Sequence, residues 1–156
     1  MNRKHQSRSL ERHVNAPREH TWNALNDLIE KLTGGYVIEG DPPPHGPGAV
    51  LHLSLPDQQE LLGSDEQLVE TVLSFEPPWR RAYSVTGPTG LDLYHATFVL
   101  RDDRGECHLS WGVVVDPEPT PEGEAFLELA VATIDGFLDF VVAAAEADRI
   151  GEGHSG

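Results

Sequence analysis

A single cysteine, Cys107, stands in 156 residues. One cysteine excludes an internal disulfide and suits a reducing compartment. Basic residues are scarce, 11 Lys and Arg against 26 Asp and Glu, for a net charge of −15. Four of them (Arg3, Lys4, Arg8 and Arg12) fall in the first dozen residues beside one acid, Glu11, so the rest of the chain carries 7 basic and 25 acidic groups. A body that acidic repels phosphate backbones and anionic membranes, which excludes nucleic acid as an expected partner. The basic start has no apolar run behind it, so it is not a signal peptide. No stretch is long and uncharged enough to span a bilayer, and the chain is expected to be cytoplasmic without stable membrane insertion. The eight histidines show no HxxxH or HxH spacing and no cysteine pair accompanies them, so no metal is expected. Gly46 and Gly48 lack the ending of a phosphate loop. No cofactor is expected, and no residue is assigned a catalytic role.

What the chain does have is an unusual C-terminal segment, FLELAVATIDGFLDFVVAAAE at residues 126–146. On a helical wheel Glu128, Asp135, Asp139 and Glu146 fall within about 40° of one another. Nearly all the remaining circumference is apolar or small. A helix lying on a flat surface needs an apolar stripe only slightly wider than ~100°. This helix calls for something that wraps around it and leaves one acidic ribbon to water. The segments before it are mostly strand patterns, so a curved antiparallel sheet is the natural wrapper, with room for a cavity between sheet and helix.

Along the chain, residues 8–14 read as a strand with Leu10, Arg12 and Val14 on one face. Asn15 is expected to cap a helix that carries Pro17 in its first turn and ends at Gly34-Gly35. Residues 36–39 and 49–55 form a strand pair around the proline-rich segment 41–48, DPPPHGPG, a rigid rim or a lid with His45 at its tip. Residues 56–66 are polar, a loop or a short extra element. Residues 67–76 alternate with Val69, Thr71, Leu73 and Phe75 on one side, which places Glu70 on the outward, solvated parity. Residues 80–86 return after Pro77-Pro78. A hairpin follows over 92–101 and 106–115, with Asp102 to Gly105 as its turn. Its simplest register sets Phe98 opposite Leu109, Ala96 opposite Trp111 and Tyr94 opposite Val113, and Gly105 is a place where a bulge would slip it. Thr120 and Pro121 then open the long helix, expected over about 120–148. One domain spans 8–149, between disordered tails at 1–7 and 150–156.

Four stretches carry a family likeness: HVNAPREHTWNAL, GPGAVLHLSL, LVETVLSFEPPWRRAYSV and YHATFVLRDDRGECHLSWGVVVDP. Over roughly residues 8–148 the chain resembles the START-like (SRPBCC) superfamily, in particular the small bacterial polyketide cyclase/dehydrase and lipid transport proteins. The resemblance implies an α+β helix-grip fold like that of the pollen allergens. A seven-stranded curved antiparallel sheet then surrounds the C-terminal helix, with a hydrophobic cavity between them. It carries no shared catalytic motif. Family members often have an apolar residue where this chain has Arg81.

Within that frame Tyr83, Tyr94, Phe98 and Trp111 are expected to face the helix and line the cavity, met by Thr133 and Phe137 from the helix. Thr133 has a commoner fate, a bond back to a carbonyl one turn earlier. Arg81 shares the parity of Tyr83 and Val85. A guanidinium there either grips an anionic ligand or, as such residues more often do, snorkels to the rim. An inward Arg81 needs compensation, expected from the ligand or from the loop near Asp41, because an isolated buried ion is very costly. Cys107 reads as a small buried residue. The expected function is binding of a small hydrophobic or amphipathic ligand (a lipid, fatty acid, polyketide or aromatic compound) by a monomer or homodimer. Two alternatives remain open: a polyketide cyclase or aromatase, and a ligand-free module that regulates a partner.

Overall fold

The computed structural model describes residues 6–55 and 57–153. The elements run β1 (Gln6–Val14), α1 (Arg18–Thr33), β2 (Tyr36–Ile38), β3 (Val50–Leu53), α2 (Gln58–Leu62), β4 (Leu68–Glu76), β5 (Arg80–Thr86), β6 (Tyr94–Asp103), β7 (Glu106–Val115) and α3 (Pro121–Gly153). The seven strands make one antiparallel sheet in the order β1-β7-β6-β5-β4-β3-β2. The helices α1 and α3 pack on one face and enclose a single apolar core with it. Strand β1 starts at Gln6, inside the expected tail at 1–7, and α3 runs on to Gly153, past its expected end. Residues 1–5 and 154–156 of the two expected tails lie outside the described residues.

Local chemistry explains most boundaries. The α1 N-cap is Pro17, with no side-chain cap, so Asn15 does not take that role. Its backbone N–H instead donates to Glu146 Oε2 at 2.8 Å. At the other end Gly34 adopts φ 80°, the left-handed C-cap that glycine tolerates best. Thr120 opens α3 as expected: its hydroxyl accepts from Gly123 N–H and donates to the Gly90 carbonyl, each at 3.1 Å. A Cβ on Gly123 would come within 2.8 Å of that same carbonyl oxygen, so the helix start needs glycine there.

The β6–β7 hairpin differs from the simplest register by two. Phe98 faces Trp111 and Tyr94 faces Val115, because Asp103 and Glu106 still pair across a two-residue loop. Arg104 and Gly105 fill that loop at φ 56° and 85°, the positive values a tight primed turn requires. A shift of two preserves parity, so Tyr94, Ala96, Phe98, Leu109, Trp111 and Val113 remain on the buried face.

The acidic ribbon of α3 is not simply left to water. Arg8 meets Glu128 at 3.4 Å, and Arg12 bridges Asp135 at 2.5 Å and Asp139 at 3.1 Å. With the Asn15–Glu146 contact, every ribbon acid is tied to β1 or the residue after it. The exposed arc of α3 is also wider than the ribbon, since Ala132, Gly136, Ala143 and Phe140 adjoin it in the open. One continuous side of the helix is exposed and the rest is buried or half-buried. Among the described residues no helix is long and apolar enough to cross a membrane.

Candidate ligand cavity

Between the sheet and the two large helices lies a cavity of about 780 Å³. Strands β4, β5 and β6 supply Glu70, Tyr83, Val85, Tyr94 and Phe98 to its wall, and α3 supplies Phe126, Ala130, Thr133 and Phe137. Leu32 of α1 and Phe140 of α3 also line it, and both are 69% exposed, which marks the mouth. Ala130, Ala132 and Gly136 leave the space that the phenylalanines bound.

Of the residues expected here, Tyr83, Tyr94, Phe98, Thr133 and Phe137 line the cavity, whereas Trp111 and Arg81 do not. Trp111 is fully buried beneath the wall, where its Nε1–H donates to Tyr83 Oη at 3.0 Å. Thr133 both lines the cavity and donates to the Leu129 carbonyl at 2.8 Å, its commoner fate. Rings pack in sequence across the space, Tyr83 against Phe98 at 5.9 Å, Phe98 against Phe137 at 6.1 Å and Tyr94 edge-on to Phe126 at 5.5 Å. Burial pushes both phenols well above their ordinary range, and for Tyr94 the neighbouring Tyr83 adds to it. They are neutral donors at any physiological pH and cannot act as bases.

Two expectations fail together at Arg81 and Glu70. Arg81 is not at the rim but wholly buried, and Glu70 is not outward but only 7% exposed. A β-bulge causes the second error. Val72 pairs with Tyr83 and Ser74 with Ala82, so Leu73 is an extra residue in β4 and is pushed into solvent. The inward face of β4 therefore reads Leu68, Glu70 and Val72 before the bulge and Phe75 after it. The alternation inferred for 69–75 treats the two halves as one strand in register.

Arg81 reaches across the Tyr83 ring, its guanidinium carbon 5.3 Å from the centroid, and donates from Nη2 to Glu70 Oε2 at 2.6 Å. Compensation thus comes from within the sheet rather than from a ligand or the loop near Asp41. Burial pulls the guanidinium pKa down, but the charge and hydrogen bond of Glu70 outweigh it, and the pKa ends raised. Arg81 Nε and Nη1 have no hydrogen-bond partner among the described residues, so the cation is held chiefly by this one carboxylate.

The loop at 41–48 is no lid over the mouth. None of its residues lines the cavity. His45 turns inward, stacks on Phe75 at 5.2 Å and contacts the Tyr36 hydroxyl. Burial lowers the His45 pKa and so favours the neutral ring, which can accept that proton at Nδ1. The loop backbone is cross-braced by Gly46 N–H to Pro42 O and Gly40 N–H to Pro44 O, at 2.8 and 2.9 Å. Cys107 is buried and its thiol pKa is raised by that burial. Among the described residues, no group of three or more His, Cys, Asp or Glu is placed to hold a metal ion.

No protein-family model and no curated protein matches the chain in sequence. Solved structures do match its shape. The crystal structure of Ara h 8.0201 aligns with a TM-score of 0.66 at 14% identity, over 92% of this chain and 99% of that one. The chain has the Bet v 1-like helix-grip fold. The Zhui aromatase/cyclase from Streptomyces sp. R1128 aligns at 0.65 and 15% identity, over 92% of this chain and 94% of its own. A protein from Mesorhizobium loti aligns at 0.65 and 19%, over 91% and 98%. The START-like resemblance of the sequence is therefore a true likeness of fold.

Proposed function

We propose that this helix-grip protein binds a small amphipathic molecule with a substantial apolar body, such as a lipid, polyketide or aromatic compound, in the cavity under α3. The observation that carries this reading is the cavity itself. A space of about 780 Å³ lined by aromatic and aliphatic side chains lies in the size range of small-molecule sites and far above ordinary packing voids. An apolar mouth at Leu32 and Phe140 gives a ligand a way in. The likeness to an aromatase/cyclase keeps catalysis on a polyketide-type chain as the second reading, and Glu70 beside two phenols is the observation that favours it. Binding is preferred because both phenols stay protonated and the charge of the lining carboxylate is already paired with Arg81, which weakens it as a base. The single buried Cys107 fits action in the reducing cytoplasm.

Native mass spectrometry of gently purified protein, with thermal shifts over a lipid and aromatic panel, tests this. Retained ligand mass or stabilisation by panel members is expected. In Ala130→Trp, which fills the cavity from α3, both effects should disappear while the melting temperature of the free protein holds or rises. No retained mass and no shift for the wild type would count against a ligand and favour the partner-regulating module.

A further inference from the structure

We propose that the ligand carries a hydrogen-bond donor at its polar end, optimally a cationic amine on an aromatic or aliphatic body, and that Glu70 receives it. This rests on the cavity being a ligand site, and it assigns that site its polar specificity. Glu70 is the one Asp, Glu, Lys, Arg or His among the described lining residues. Its cation, Arg81, is fully buried and contributes nothing to the lining. The ion pair is thus polarised by the fold, with Glu70 on the cavity wall and the guanidinium set back over Tyr83. An anionic head entering this space meets a carboxylate at short range and no accessible cation. An ammonium meets an acceptor whose second oxygen is not committed to Arg81.

The remaining polar side chains of the lining, Ser54, Thr33, Thr133, Tyr83 and Tyr94, carry no charge to reverse this preference. Thr33 and Thr133 donate their hydroxyl protons to the Ile29 and Leu129 carbonyls, each at 2.8 Å. Tyr83 and Tyr94 are neutral phenols, able to bond a hydroxyl or carbonyl but not to neutralise an anion. An alcohol is therefore accommodated less strongly than an amine and better than a carboxylate. Charge-assisted hydrogen bonds contribute more than neutral ones, enough for about a tenfold difference or more.

Three shape-matched probes test the assignment: 2-naphthylmethylamine, 2-naphthalenemethanol and 2-naphthoate, titrated by calorimetry. The net charge of −15 attracts any cation from a distance. The titrations are therefore run in roughly 1 M salt, where the Debye length falls to about 3 Å. The wild type should bind the amine about tenfold or more tighter than the carboxylate, with the alcohol between. In Glu70→Gln/Arg81→Met, which removes both charges together, amine and carboxylate should come within about threefold, with the alcohol changing less than the amine. Carboxylate binding equal to or tighter than amine binding in the wild type would overturn the assignment. So would an undiminished amine preference in the folded double variant. Should that variant fail to fold, the wild-type order decides. Failure of all three probes, the alcohol included, would instead sink the cavity as a site for ligands of this kind.

Discussion

Arg81 and Glu70 are the residues on which the cavity wall depends most sharply. Each is buried, and each is the other's principal charge partner. Removing one partner of a buried pair strands the other, at about 3–5 kcal/mol, whereas replacing both with apolar or neutral groups of similar volume is close to neutral. Urea unfolding of Arg81→Met should therefore show a loss of about 3–5 kcal/mol, and Glu70→Gln/Arg81→Met should recover most of it. Equal losses in the single and double variants would mean that packing over Tyr83, not charge pairing, is what Arg81 supplies. The sequence makes half of this site legible. Tyr83, Tyr94 and Phe98 follow from strand parity and Phe137 from the helical wheel, because alternation holds wherever the ladder is unbroken. Glu70 is hidden because the bulge at Leu73 inverts parity within one strand, and neither proline nor glycine marks the position.

At the level of elements, α3 is gripped from two sides by different forces. Its apolar face, with Phe126, Leu127, Leu138 and Val141, is buried against the core, each such side chain contributing about 1.5–3 kcal/mol. Its acidic edge is held to β1 by Arg8 and Arg12, in contacts that water reaches. Exposed pairs of this kind contribute at most about 1 kcal/mol each, and salt weakens them. Arg12→Met should accordingly cost about 1 kcal/mol at low ionic strength, and the deficit should shrink in 1 M salt. A deficit that is large and independent of salt would show instead that the Arg12 stem packs as part of the core. The wheel of residues 126–146 announces a gripped helix. It does not announce β1 as the partner of the ribbon, since that pairing joins residues more than a hundred positions apart. The hairpin register was likewise readable only to within two residues, because Arg104-Gly105 closes a shorter loop than the acidic run before it suggests.

At the scale of the whole molecule, strand order and helix placement together create the cavity. The sheet closes sequentially from β7 back to β2, and β1 adds to its far edge, so α1 and α3 share one face. The last turn of α1 at Leu32 and the middle of α3 at Phe140 present exposed apolar side chains at the cavity's opening. Among the described residues, the one lining carboxylate and both lining phenols, Glu70, Tyr83 and Tyr94, lie on the sheet side of this space, so the proposed ligand would turn its polar end toward Glu70. The proposed function requires that small molecules enter this space. Titration of isotopically labelled protein with 2-naphthalenemethanol, followed by amide and methyl chemical shifts in solution, tests it most directly. Saturable shifts should centre on Tyr83, Phe98, Ala130, Thr133 and Phe137, with the outward-facing His95 and Thr97 unmoved. Shifts confined to the outer face of the sheet, or none at any concentration, would contradict the account.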